Sequence, residues 1–285
     1  MAEPRKLTDE KLIKLLFTEG DRLDRAVVDE IVHRGGLVER LDRIVADPYH
    51  WNEPPPAWWA VVHAVYILGA VGTPETVLPL LRALRYAEAC ENDWVLEDAP
   101  SIFGRIGPPA ETGLKTLATD RTTGWQARAA AIEGLAAIFL SHPARMQTAI
   151  PFIHGIFIDA AEDRALRQMA GHILIDLIRS EYREDLVAFG KEERLLAFRD
   201  GSYKPAFNDE DVDQEFARGE LAQERYTREW LSFYLPDVMA ARQKRWEEEQ
   251  LANAESPEHV PPQELCPFSQ DRKKKKCCLG KAGLA

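Results

Sequence analysis

Apolar residues recur along this chain at intervals of three and four, the period of a helix face, and alternating strand patterns are nearly absent. Thr8 stands where it can cap a helix over Asp9–Thr18, with Leu12, Leu15 and Leu16 on one face. A second helix is expected over Asp21–His33, burying Leu23, Ala26, Val27 and Ile31 and stopping at Gly35 and Gly36. A third, Leu37–Ala46, ends before Pro48. From Ala57 the pattern repeats. The triplet Val61, Ala64, Leu68 is matched by Leu96, Ala99, Phe103, by Arg128, Ala131, Leu135, and by Arg167, Ala170, Leu174. The small middle residue lets two helices approach, and the large apolar residue four positions later fills the interface. In the first two units Gly72 and Gly107 then end the helix, and Pro74 and Pro108 open the next one. Helix pairs at this period predict an all-α fold, a right-handed α-solenoid of about four pairs.

The expected organisation follows from where the repeat starts and stops. Residues 1–56 form N-terminal helices and 57–190 the repeats. After Gly190 the pattern changes, so 191–253 is read as a helical extension: a short helix Lys191–Arg199, a loop Asp200–Pro205, an acidic helix Asn208–Arg218, and helices over Tyr226–Leu235 and Val238–Ala252. Pro257, Pro261 and Pro262 mark 254–263 as a linker, and 264–285 as a separate tail.

Composition narrows the function classes. The net charge is −11, yet residues 266–285 hold six basic residues against one acid, so the body is more acidic than the whole. An acidic body argues against wrapping nucleic acid over a large surface. The N-terminus lacks the apolar core of a secretion signal. The apolar run Ala57–Val71 is fifteen residues long, too short for a membrane span. Four cysteines, three of them clustered, do not form a disulfide framework, and a reducing, cytoplasmic location is expected.

The tail carries the most specific chemistry. Cys266, Cys277 and Cys278 flank the run Arg272, Lys273, Lys274, Lys275 and Lys276. Thiolates hold zinc, and neighbouring cations favour the thiolate. The order and spacing resemble the SEC-C zinc motif, in which three of the four ligand positions fall on these cysteines and Phe268 stands at the fourth. His259, seven residues before Cys266, is an alternative fourth ligand. Free thiols are the competing reading. The lysine run has three readings: a solvated charge run, a phosphate contact on RNA or ribosome, or a dock for an acidic protein. The repeats resemble HEAT repeats of the phycobilin-lyase-like kind. Their combination with the tail, through the stretches Glu97–Gly104, Leu114–Asp120 and Arg128–Leu135, resembles an uncharacterised bacterial family that joins such repeats to a SEC-C tail. The resemblance implies a zinc-knuckle-like tail and brings no activity with it.

Elsewhere the signals are structural. His63, His154 and His172 fall in apolar helices and are expected to be partly buried. No His-Glu dipeptide occurs, which disfavours a HEAT-like di-iron enzyme. Glu88, Glu91, Asp93, Glu97 and Asp98 fall on different helix faces, and Cys90 reads as a semi-buried thiol. Trp58 and Trp59 point about 100° apart on a helix, so one is expected in the core, while the other has two readings: burial against the N-terminal helices, which is favoured, or lining a groove that takes a protein partner. The leading expectation is a non-enzymatic interaction protein with a protein partner. A phycobilin-lyase-like or other ligand-handling enzyme, and a ribosome- or RNA-associated factor acting through the tail, are the alternatives.

Overall fold

Thr8 caps the first helix as its position predicts, its Oγ1 accepting from the Lys11 amide at 3.4 Å. The computed structural model describes residues 3–255. Among these there are thirteen α-helices and no strand: α1 (Asp9–Thr18), α2 (Arg25–Arg34), α3 (Val38–Ala46), α4 (Trp59–Val71), α5 (Val77–Ala89), α6 (Asp93–Ile106), α7 (Glu111–Thr119), α8 (Trp125–Ser141), α9 (Met146–Ile158), α10 (Arg164–Asp176), α11 (Arg183–Arg199), α12 (Asp209–Arg218) and α13 (Pro236–Glu255). The fold is all-helical, and no helix among the described residues is long and apolar enough to cross a membrane.

The described chain divides into two compact units, one of residues 3–102 with 229–255, the other of 103–228. In the first, α4 is the central element. Every side chain from Trp59 to Ala70 is buried, because α1, α2, α3 and α5 pack around it. A helix apolar on all sides is stable only when enclosed in this way. In the second unit, α7 pairs with α8, α9 with α10, and α11 with α12. α8 is buried over most of its circumference from Ala127 to Ile138.

The repeat phase read from the sequence agrees with the burial. Ala64, Ala99, Ala131 and Ala170 are all buried, and so are Leu68, Phe103, Leu135 and Leu174. Two glycines in corresponding positions mark close approaches between helices. A Cβ on Gly69 would lie 2.7 Å from the Ile102 side chain, and one on Gly104 would lie 2.8 Å from the Ala137 Cβ. The repeated arginines also do one job twice. Arg128 Nε donates to the Ala118 carbonyl at 2.8 Å, and Arg167 Nε to the Phe157 carbonyl at 2.9 Å. Each satisfies a carbonyl left open near the end of the preceding helix.

Three expectations need correction. α2 starts at Arg25, after a single 3-10 turn over Gly20–Arg22, because Asp24 supplies the cap through Ala26 N at 2.8 Å. α11 runs from Arg183 to Arg199 through Gly190, where the sequence predicts a short helix over Lys191–Arg199 alone. The glycine serves close packing: a Cβ there would lie 2.4 Å from the Asp209 amide nitrogen. The stretch Tyr226–Leu235 is not a helix. It is a strap with short 3-10 turns at Glu224–Tyr226 and Trp230–Tyr234, and four of the five residues in the second turn are buried. Its carbonyls are taken by side chains from other elements instead, Leu231 by Arg25 and Phe233 by Arg242.

Candidate functional site

The densest cluster of ionisable and aromatic groups lies in the first unit, where the strap and α13 meet α4 and α6. Trp230 Nε1 donates to the Tyr66 carbonyl at 3.2 Å, and Arg25 Nη1 donates to the Leu231 carbonyl at 3.1 Å. Held this way, Phe233 and Tyr234 enter the core. Phe233 lies 5.5 Å from both Trp59 and Trp94 by ring centroid, and Trp246 of α13 lies 6.0 Å from Trp59. Offset and edge-on pairs at these separations add about 0.5–1.5 kcal/mol each beyond area burial.

His63 sits at the centre, fully buried. Its Nδ1 is 2.9 Å from the Tyr234 hydroxyl and its Nε2 is 2.7 Å from the Gly20 carbonyl. The carbonyl can only accept, so Nε2 carries the proton and Nδ1 accepts from the tyrosine. Burial holds the imidazole neutral and pushes its pKa down to about 4, with the nearby Arg242 charge adding to the effect against the Gly20 carbonyl. Tyr66 donates to Asp98 Oδ2. Burial, and secondarily that carboxylate, raises the Tyr66 pKa well above the phenol range.

Arg242 closes the cluster. Its guanidinium stacks 3.8 Å from the Phe233 ring centroid. It donates to the Phe233 carbonyl at 3.2 Å, to the Asp21 carbonyl at 2.9 Å and to Asp21 Oδ2 at 3.4 Å. The next residue, Gln243, donates to the same carboxylate and accepts from Arg22. The arrangement is a clasp: aromatic surface supplies the burial, and every polar group named is met by another group of the same chain. Nothing in the sequence marks Phe233, Tyr234 or Arg242 as partners of His63, since 171 residues separate His63 from Tyr234.

The neutral His63 has a measurable consequence. An unfolded imidazole titrates near 6.5, so between pH 6.5 and pH 4 the unfolded chain binds more protons than the folded one. Stability then falls as pH falls through that window and is fully present above it. From pH 7 to pH 4 the contribution lost should be about 2–3 kcal/mol. Urea unfolding at the two values, in wild type and His63→Gln, isolates it. An equal pH dependence in both proteins would remove the assignment.

A second buried polar group lies in the other unit. Glu193, fully buried, accepts from Arg164 Nε at 2.7 Å, Gln168 Nε2 at 2.6 Å and the Tyr203 hydroxyl at 2.7 Å. Sequence reading missed it, because a glutamate in a charged run looks solvated.

Trp58 and Trp59 are both buried, at 5% and 4% exposure, so neither lines an open groove. Trp58 precedes α4 as its cap residue, and α4 is enclosed, so both indoles find cover. The half-exposed indoles of this cluster are Trp94 and Trp246. Among the acids, Asp98 is spent on Tyr66, and no group of three His, Cys, Asp or Glu that could hold a metal occurs among the described residues. Cys90 is half-buried, with burial raising its thiol pKa. His154 stacks on Tyr182 at 3.8 Å and bonds Asp185 at 2.8 Å, and His172 Nε2 donates to the Ala206 carbonyl at 2.9 Å. Cys266, Cys277, Cys278, His259 and the basic run Arg272, Lys273, Lys274, Lys275 and Lys276 lie outside the described residues. No family model matches the chain, and no curated protein or solved structure does so either.

Proposed function

We propose that this chain is a non-enzymatic interaction protein: a HEAT-like right-handed α-solenoid presents a partner surface, and the basic cysteine tail adds a second, zinc-dependent contact. What supports the first half is the state of His63. Among the described residues it is the histidine most displaced from ordinary behaviour, and both of its ring nitrogens are engaged by the chain itself. A group so engaged fastens the strap and has no free nitrogen for proton transfer to a bound molecule. The donor set supports the second half. Three thiolates from Cys266, Cys277 and Cys278 with one imidazole from His259 match the ligand types and number that zinc takes in structural sites. Zinc there would supply folding free energy to a segment with little apolar surface of its own. The lysines between the thiols would then form one contact surface.

The test uses the full-length protein. Zinc per chain is measured by mass spectrometry, and partners are recovered by crosslinking and affinity purification from the native cell. Wild type should carry zinc, and Cys277→Ser should lose the metal together with the tail-dependent partner. A partner retained by metal-free Cys277→Ser would confine the function to the helices. A copurified chromophore with its own absorbance would replace the interaction reading with a ligand-handling one.

A further inference from the structure

The outer face of α11 carries a self-complementary pattern. The helix buries Leu186, Phe189, Gly190 and Glu193 on one side. At about 100° per residue, Glu184, Ala188, Lys191, Glu192, Leu195, Phe198 and Arg199 fall together on the opposite side, and all seven are exposed. Within that face Leu195 is 56% exposed and Phe198 is 88% exposed, the highest value among the large apolar side chains described. Isolated exposed apolar residues need no explanation. Here the charges around them are ordered. Glu184 stands at the N-terminal end and Arg199 at the C-terminal end, with Lys191 and Glu192 side by side at the midpoint. Among the described residues Glu184, Lys191 and Arg199 form no ion pair within the chain, and Glu192 has only a 4.0 Å approach from Arg164.

We propose that α11 is a homodimer contact, in which two copies pair antiparallel about a two-fold axis between Lys191 and Glu192. In an isologous contact, residue i meets j and j meets i. This axis sets Glu184 against Arg199 of the second copy, Lys191 against its Glu192, and Ala188 against its Leu195. Phe198 then lies over the small gap between Glu184 and Ala188 of the second copy, a large side chain over a small one. A parallel pairing would set Glu184 against Glu184 and Arg199 against Arg199, so the charge order selects the antiparallel one. The helix is about 25 Å long at 1.5 Å per residue. One helix pair of that length buries less than the ~1,200 Å² of standard stable interfaces, so the dimer is reversible and concentration-dependent. This contact needs neither zinc nor the tail.

Sedimentation velocity on the full-length protein over a wide concentration range tests it. Wild type should shift from monomer to dimer as concentration rises. Phe198→Asp should raise the dissociation constant at least about tenfold, with unchanged thermal unfolding because the residue is exposed. Glu184→Arg and Arg199→Glu should each weaken the dimer alone. Mixed together they should restore it, since every facing pair in the mixed dimer is again opposite in sign. Cys277→Ser should dimerise like wild type. A wild type that stays monomeric throughout, a dimer indifferent to Phe198→Asp, no restoration on mixing, or a dimer lost in Cys277→Ser would each overturn the assignment.

Discussion

Replacing Arg242 with methionine should destabilise the first unit by about 3–5 kcal/mol, the range found when one member of a buried charged pair is removed. Methionine keeps most of the apolar stem and removes the guanidinium. The Phe233 and Asp21 carbonyls then lose their donors, and the Asp21 carboxylate keeps only Gln243. Arg242→Lys should not rescue the loss, because a point charge cannot reach two carbonyls and a carboxylate while lying flat on a ring. Urea unfolding measures the magnitude. Limited proteolysis supplies a local readout: cleavage in residues 229–255 should accelerate. A loss under about 1 kcal/mol with unchanged cleavage would show that the aromatic contacts hold the strap without the charge.

Gly190→Ala should cost about 3 kcal/mol or more, at or beyond the upper end for an overpacked contact. The added Cβ would lie 2.4 Å from the Asp209 nitrogen and 2.6 Å from the Asn208 carbonyl carbon. Both are backbone atoms at the start of α12, so no side-chain rotation relieves the clash. The capping box at Asn208 and Asp211 would have to move with them. Gly155→Ala is the control. Gly155 also lies within a helix, α9, but a Cβ there meets nothing within 4 Å. That substitution should stabilise by about 0.5–1 kcal/mol through helix propensity alone. If the two variants unfold alike, the close approach of α11 and α12 is not as described.

These two residues also show where sequence reading worked and where it stopped. The phase of the repeat was legible, because Ala64, Ala99, Ala131 and Ala170 recur in a fixed relation to a large apolar partner and all four are buried. α12 was legible from its cap and acidic first turn. The extent of α11 was not legible, because a glycine such as Gly190 serves both helix breaking and close packing, and a single sequence does not separate them. The strap holds no glycine or proline between Tyr226 and Leu235, so nothing local in the sequence marks it off from a helix. The clasp was invisible for a different reason: its members lie at opposite ends of the sequence and carry no local spacing rule. The cysteine and lysine pattern was the sharpest signal in the chain, and it lies outside the described residues.

The first unit is assembled from both ends of the described chain, residues 3–102 and 229–255. This imposes an order on biosynthesis. Chains emerge N-terminus first, so α1–α5 leave the ribosome with His63 lacking Tyr234 and with the Asp21 carbonyl lacking Arg242. The intervening unit, built from helix neighbours of short sequence separation, can close while synthesis continues. The nascent chain therefore carries an incomplete apolar face around Trp59 until Trp246 has been made. That interval is when the protein is most exposed to aggregation, and when a chaperone has a surface to hold.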